Sequence, residues 1–363
     1  GTITVYRQYL FLTNSDLGFD KEAVFTVPIP TRETVLMERF KSTLLQNPAI
    51  KDVSLSNSSP ARSANWSDVT MFSNGQENTL ISQFVEIDTS FVSTYGLKLL
   101  AGRNLSLTDS SKTILINEEL ARQFNFKTPE EAVGKVVMLY HDPNRRVTIS
   151  GVLKDYHYDT FYSKIRPTLL IQNSNQVRLA GIKLAMNTEN RSGYLEQIKN
   201  VLAFTENNWK QIYKNEIYEY EFLDDAISKY YINEGNSSKL ISVFAFITVF
   251  IACIGIFGLA LYSSEQRSKE IGIRKINGAK ISEIMTILNK DFVKWVAIAF
   301  VIATPVAYYA MHKWLENFAY KTELSWWIFA LAGLLALGIA LLTVSWQSWK
   351  AATRNPVEAL RYE

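Results

Sequence analysis

Hydrophobic positions follow two regimes along this chain. Up to about residue 235 they recur at the short periods of strands and amphipathic helices, and beyond it they fuse into three long runs. Val24–Ile29 (VFTVPI) alternates as a strand does and is stopped by Pro28 and Pro30. From about Arg32 to Gln46, Val35, Leu36, Phe40 and Leu44 share one helical face, and Asn47–Pro48 ends the helix. Ile50–Leu55, Leu80–Ile87, Tyr95–Leu100, Lys112–Ile116, Val133–Leu139, Val147–Leu153, Thr168–Ile171 and Gly181–Ala185 read as further strands. Asn117 is placed as the N-cap of a helix reaching Phe126, and Ser192–Phe204 reads as an amphipathic helix. Ser56–Asn78 is small and polar apart from Trp66, Met71 and Phe72, and reads as a long loop whose Trp66 covers a sheet edge. Ala101–Asn104 (AGRN) reads as a glycine turn, and Glu216–Phe222 (EIYEYEF) as an edge strand with solvated acids. These elements predict an α+β domain, a mixed sheet with helices on one side, over residues 1–235.

The long runs obey a different rule. Leu240–Tyr262 contains no charged residue, and a helix of that length crosses a hydrocarbon core of about 30 Å. Trp295–Met311 comes next, with Pro305 inside it, and then Leu324–Trp349, with Ala332–Gly333 and Ala336–Gly338 offering small residues for close helix contact. The expectation is an all-α membrane domain over 236–363, with spans at about 240–262, 293–312 and 324–346. Asp224–Lys239 joins the two regions as helix, with Gly235–Ser238 as its weak point. The loop between the first two spans holds Arg267, Lys269, Arg274, Lys275, Lys280, Lys290 and Lys294, whereas the next holds only Lys313 and Lys321. The tail adds Lys350, Arg354 and Arg361, so loop 264–290 and tail 347–363 are placed in the cytoplasm and residues 1–235 outside it. A domain outside the membrane needs a route there, so a further membrane helix is expected before Gly1; Tyr6, Tyr9, Leu10 and Phe11 would continue it.

Composition adds little to this picture. A formal charge of +3 does not point to nucleic acid, and the one cysteine, Cys253, lies inside the first apolar run. No G-x-x-x-x-G-K-[ST], G-x-S-x-G, H-E-x-x-H or C-x-x-C pattern occurs, so no catalytic residue, nucleotide cradle or metal site is read from this sequence. Asp155, His157 and Asp159 stand at alternate positions after a strand, but such a set alone is weak grounds for a metal or an acid–base pair. A structural turn is the expected role. The spans carry no interior charge, which argues against an ion relay.

Between the first two spans, Ser264–Lys280 (SEQRSKEIGIRKINGAK) has the character of a short amphipathic element at a membrane surface. Ile271, Ile273 and Ile276 offer an apolar edge, and Glu270, Arg274 and Lys275 a charged one. EIGIRKINGA after an apolar helix containing GIFG (Gly255–Gly258), with the ending AATRNPVEALRYE, resembles the FtsX-like permeases of ABC transporters, the family of the macrolide-exporter and lipoprotein-release permeases. GVLKDYHYDTFYSKIRPTLL resembles a strand and turn of that family's extracytoplasmic core, and GFDKE, with DYHYDTFYSKIRPTLL, resembles the second half of two-half permeases from Bacteroidetes-type bacteria.

The resemblance implies a non-catalytic permease in the inner membrane of a bacterium, its first domain a MacB-like core in the periplasm. It implies that ATP and Mg²⁺ are bound by a separate cytoplasmic ABC ATPase, not by this chain. Glu270, Ile271, Gly272, Ile273, Arg274, Lys275, Gly278 and Ala279 would form the coupling element docked on that ATPase, with Arg274 and Lys275 meeting acidic groups or anionic lipid. Gly272 and Gly278 would allow close backbone approach. A second permease copy or half is the further partner, and beyond it a periplasmic adaptor or outer-membrane channel; nucleic acid is not among the partners. The first span would pass the ATPase's motion to the outer domain, a mechanotransmission that exports or extracts a macrolide, peptide or lipoprotein. The competing reading is a membrane-anchored sensor or adaptor that binds a ligand or cell-wall component without ATP.

Overall fold

Alternation and its interruptions, read along the chain, account for most of the elements in the computed structural model. It describes residues 1–30, 33–60, 62, 65–73, 76–109, 112–158, 161, 163–173, 176–185 and 191–353. The chain divides into two compact units, Asn14–Tyr231 and the pair Gly1–Thr13 with Ile232–Glu363. The opening helix α1 (Thr2–Asn14) thus groups with the apolar helices, where the sequence had placed all of 1–235 in one domain.

The unit 14–231 begins with β1 (Val24–Pro28), α2 (Thr34–Leu44), β2 (Ile50–Ser56), β3 (Asn65–Ser73), β4 (Gln76–Ile87), α3 (Phe91–Thr94) and β5 (Leu99–Gly102). It continues with β6 (Thr113–Asn117), α4 (Glu118–Gln123), α5 (Pro129–Ala132), β7 (Val136–Leu139), β8 (Arg146–Leu153), β9 (Thr168–Gln172), β10 (Leu179–Leu184), α6 (Arg191–Ile212), β11 (Glu221–Phe222) and α7 (Leu223–Tyr230). The strands run in the order β11-β1-β10-β2-β4-β3-β7-β8-β6-β9, and β9 also pairs in parallel with β4, so the last six close on themselves. This is the mixed α+β fold expected, with two cores. Phe25, Val27, Val53, Leu55 and Ile182 of β1, β2 and β10 pack under Met37 and Phe40 of α2 and Trp209 of α6. The second core draws on all six ring strands, among them Val69, Phe84, Ile114, Val137, Ile149 and Leu169, with Leu120 of α4 and Phe124 just after it.

Asn117 caps α4 as its position predicts: its Oδ1 accepts from the N–H of Leu120 at 3.1 Å and of Thr168 at 2.9 Å. The stretch 56–78, expected as a loop, is largely the β3–β4 hairpin. Ser67, Val69, Thr70 and Met71 are all buried while Trp66 and Phe72 are exposed, so polar side chains face the core, large apolar ones face out, and the period of two is lost. Trp66 lies within β3 opposite Gln83 of β4, outside the Val69–Met71 segment that pairs with β7, and its ring lies under the Arg166 guanidinium at 4.9 Å. Tyr95–Leu100 is strand only from Leu99, because Tyr95 is wholly buried at the end of α3. Val133–Leu139 begins its strand at Val136, after α5. Of Glu216–Phe222 only the last two residues pair with β1. Continuing that antiparallel register would set Glu219 opposite Pro28, which has no N–H to give.

The second unit holds α1, α8 (Ile232–Gln266), α9 (Ser268–Ile276), α10 (Ile281–Leu315) and α11 (Trp326–Thr353). Three of these helices are long and apolar enough to cross a membrane, over Gly235–Gln266, Ile281–Leu315 and Trp326–Thr353. All three overrun the predicted spans. Loop 264–290 therefore resolves into α9 and the start of α10, and the predicted tail begins inside α11; residues 354–363 of the tail lie outside the described residues. The helix does not weaken at Gly235–Ser238: α8 runs through it, and the helical path breaks instead at Tyr231. α11 packs on both α8 and α10. Of its small residues, Gly333 does close work, since a Cβ there would come within 2.6 Å of the Phe300 ring on α10. Gln8 of α1, fully buried, donates to the carbonyl of Tyr320 at 3.0 Å and accepts from the N–H of Thr322 at 2.8 Å, tying α1 to the α10–α11 connection.

Candidate functional site

Nine residues between two membrane-length helices carry the strongest functional signal. α9 has the right composition for a surface helix: Glu270 in its first turn, Arg274 and Lys275 in its last, each sign at the end where the helix dipole favours it. It ends in a Schellman turn. Gly278 takes φ +86°, its N–H donates to the Lys275 carbonyl at 3.1 Å, and the N–H of Ala279 donates to that of Arg274 at 3.0 Å. Asn-Gly-Ala thus terminates the helix, and Gly278 is needed for the turn itself. The next helix starts three residues on, where Glu283 accepts from the N–H of Lys280 at 3.2 Å.

The structure sorts the eight predicted residues into two faces. Ile271 and Ala279 pack inward on Ile284 and Leu288 of α10 and Ala352 of α11, and Gly272 is buried. Glu270, Ile273, Arg274 and Gly278 are exposed, together with Ile276; Ile273 and Ile276 are 54% and 62% exposed. The apolar edge read from the sequence therefore splits, one isoleucine inward and two outward. Lys275 also departs from its predicted place on the charged edge: its Nζ donates to the carbonyl of Ala352 at 2.8 Å, in the last turn of α11. Arg274 keeps that edge, paired with Glu270 at 2.7 Å in the i, i+4 arrangement. The outward face is an isoleucine ridge beside a neutralised charge pair, suited to a protein surface with its own apolar patch.

Other residues that hold this element in place carry weak signals in the sequence. Arg267, the N-cap residue of α9, reaches Asp291 of α10 at 2.9 Å. Asn289 donates to the Ser345 hydroxyl at 2.9 Å and accepts from that of Ser348 at 3.0 Å. Ser345 and Ser348 stand among Thr343, Gln347 and Lys350, and Asn289 beside Lys290 and Asp291, so nothing in the sequence marks them out.

Asp155 and His157 are engaged elsewhere. The Asp155 carboxylate accepts from the N–H of Glu119 at 2.8 Å and from Arg122 at 3.1 Å, and its own N–H donates to Glu118 at 2.9 Å, a reciprocal clasp on the start of α4. His157 is buried with its ring 4.2 Å from that of Phe161, and its N–H donates to the Leu17 carbonyl at 2.8 Å. Asp159 lies outside the described residues, and among those residues no cluster of His, Cys, Asp and Glu converges as metal ligands.

Burial pushes the His157 imidazole down to about 4, with the charge of Asp16 working weakly against it. An unfolded imidazole takes its proton near pH 6.5, so between those values the unfolded chain binds more protons and stability is lost as the pH drops. The stabilisation is complete above about pH 6.5 and gone below about pH 4. The Asp155 carboxyl, raised by burial, works in the opposite sense at the acid end, so the difference from a His157→Phe variant is the informative quantity. Scanning calorimetry of the whole protein in detergent, at pH 7 and pH 4.5, should show the sheet unit losing roughly 5 °C more in the parent than in the variant. Equal losses would mean that the imidazole titrates normally.

Two family models match the chain. That of the MacB-like periplasmic core domain covers residues 10–195, and that of the FtsX-like permease C-terminal covers residues 242–356. The Macrolide export ATP-binding/permease protein MacB of Sodalis glossinidius (strain morsitans) is 22% identical over 77% of this chain and 43% of its own length. An uncharacterized ABC transporter permease, YknZ of Bacillus subtilis (strain 168), is 22% identical over 76% of this chain and 69% of its own length. The chain thus spans less than half of the MacB relative. Among solved structures, the periplasmic region of MacB from Actinobacillus actinomycetemcomitans is similar over 59% of this chain and 94% of that one, with 15% identity and a TM-score of 0.38.

Proposed function

Because this chain belongs to the family of permeases that join a MacB-like periplasmic core domain to an FtsX-like C-terminal, we propose that it is the permease component, or half of one, of an ABC transporter worked by a separate ATPase. One observation carries the reading. Between two membrane-length helices stands a short helix whose inner face is locked to its neighbours and whose outer face presents Ile273, Ile276 and the Glu270–Arg274 pair. A helix made only to set topology needs charge, not a ridge of two isoleucines.

The ATPase, which would bind the ATP and Mg²⁺, docks on that ridge from the cytoplasm. The basic loops and tail set the matching orientation: residues 14–231 in the periplasm, α8, α10 and α11 in the inner membrane. Two permease copies or halves meet when two ATPase copies close on ATP, and the bias between open and closed states comes from nucleotide binding to the partner. The outer domain then moves so as to export or extract a substrate of the macrolide, peptide or lipoprotein class, the first of these being the class in the name of the MacB relatives. A periplasmic adaptor or outer-membrane channel completes the path. The second reading, a sensor or adaptor without ATP, gives the exposed isoleucines nothing to do beyond lying on lipid.

Affinity purification of the full-length protein in detergent, with mass spectrometry and an ATPase assay, tests this. A P-loop ATPase recovered in stoichiometric amount is the expected result. A clean preparation without one, from cells that express such an ATPase, would favour the sensor.

A further inference from the structure

The expected route of motion runs from the coupling element into the span before it, α8. The side-chain bonds run to the other side. α9 is bonded to the two helices C-terminal to it: Arg267 to Asp291 of α10, Lys275 to the last turn of α11, Ile271 and Ala279 to Ile284, Leu288 and Ala352. Above these contacts Asn289 joins α10 to α11 by both ends of its amide, one to Ser345 and one to Ser348, two hydroxyls a single turn apart on α11. An amide satisfied at both ends between two packed helices fixes register as well as distance. α8 has no such ties. Among the described residues none of its side chains hydrogen-bonds to α10 or α11, its hydroxyls at Ser242, Thr248 and Ser264 being turned back onto its own carbonyls. Between α8 and α9 the helix breaks at Arg267, with φ −97° and ψ 12°.

We infer that Asn289 is a positioning residue which makes α9 and the α10–α11 hairpin one rigid body, and that α8 pivots against this body at Gln266–Arg267. This rests on the docking of an ATPase at α9. The ATPase then displaces the last two spans directly, and α8 moves with them through its packing on α11. Lys275 serves the same body by holding the end of α11 to α9.

The test uses the full-length protein, with Cys253→Ser, in nanodiscs with its co-purified ATPase. Spin labels replace exposed side chains in two pairs: Lys269→Cys with Leu335→Cys for α9 to α11, and Lys269→Cys with Phe250→Cys for α9 to α8. Pulsed electron–electron distances are taken without nucleotide and with Mg²⁺ and a non-hydrolysable ATP analogue. The α9–α11 distribution should stay fixed while the α9–α8 distribution shifts. Asn289→Leu should broaden the α9–α11 distribution while the ATPase still co-purifies. The double variant Ser345→Ala with Ser348→Ala, which removes the same two hydrogen bonds, should do likewise. A nucleotide-dependent α9–α11 shift in the parent, an α9–α8 distance that never moves, or variants that keep the parent's α9–α11 distribution would each overturn the inference while leaving the docking site standing. Absence of the ATPase from the parent preparation would sink the docking reading itself, and the rigid body with it.

Discussion

Replacing Ile273 and Ile276 together by alanine is expected to strip the ATPase from the purified protein while leaving the fold intact. Both side chains are more than half exposed, so their truncation removes little buried area within the chain. Alanine also raises helix propensity at both positions, which keeps α9 formed. At a protein interface the same two side chains are central apolar anchors, and losing them costs about 3 kcal/mol together, roughly a 100-fold loss in affinity. The measurement is the amount of ATPase retained in a detergent pull-down and the dissociation constant by interferometry. Lys275→Met is the contrast. Its ammonium faces the Ala352 carbonyl, so that variant should loosen the end of α11 and keep the ATPase. Charge reversal at Arg274 and Lys275 together would mix these two effects. Full retention by the double alanine variant would make α9 a surface helix on lipid and return the chain to the sensor reading.

Why the sequence showed α9 but not its orientation is a matter of packing. Isoleucines at 271, 273 and 276 mark an amphipathic segment, and Asn-Gly-Ala marks its end through the one conformation glycine takes cheaply. Which isoleucine turns inward depends on Ile284, Leu288 and Ala352, positions that no local period links to 271. The same holds for Lys275, whose acceptor stands at the end of the last helix. A basic residue in the last turn of a helix ordinarily serves its own carbonyls or solvent.

In the sheet unit the strongly patterned strands were legible, and so was the Asn117 cap, because side chain and backbone there lie within three residues of each other. The β3–β4 hairpin was not, since its inward positions include Ser67 and Ser82 and its outward face includes Trp66, Phe72 and Ile81. Hydrophobicity alone assigns those faces the wrong way round. The closing of six strands on themselves turns on the parallel pairing of β4 with β9, Phe84 opposite Leu169 and Val85 opposite Leu170. That contact joins segments distant in sequence, and only their shared core records it. The membrane helices were visible at once, but their ends were not, because helix continues past the apolar stretch wherever another surface supports it. α10 starts at Ile281, well before its apolar run, for this reason: Ile284 and Leu288 are held against α9 and α11.

Substituting Gly102 by valine should strongly destabilise the sheet unit and spare the apolar helices. Gly102 closes β5 at φ +75°, a conformation that costs an L-residue about 1–2 kcal/mol, and more with a β-branched side chain. Space is the larger obstacle. Gly102 stands opposite Gly151 of β8, and a Cβ there would overlap the Ser150 carbonyl oxygen and lie 2.8 Å from the Gly151 Cα, backbone atoms that cannot rotate away. The Ser150 carbonyl is also the acceptor for the Arg103 N–H at 2.9 Å, so a shift that relieves the overlap breaks the β5–β8 contact. Arg103 in turn braces the loop behind it through two bonds to Asp109, at 2.6 and 2.8 Å, and holds that carboxyl well below the usual carboxylate range. The damage therefore spreads to the side of the core formed by β6, β8 and β9. A loss of about 4 kcal/mol or more is expected, a fall in Tm of roughly 10 °C for a unit of this size. Calorimetry and limited proteolysis of the whole protein measure it, with hydrogen exchange on α8, α10 and α11 as the internal control. A Tm within about 2 °C of the parent would mean that β5 swings clear of β8 without cost, and that the Gly102–Gly151 crossing is not what holds the strand.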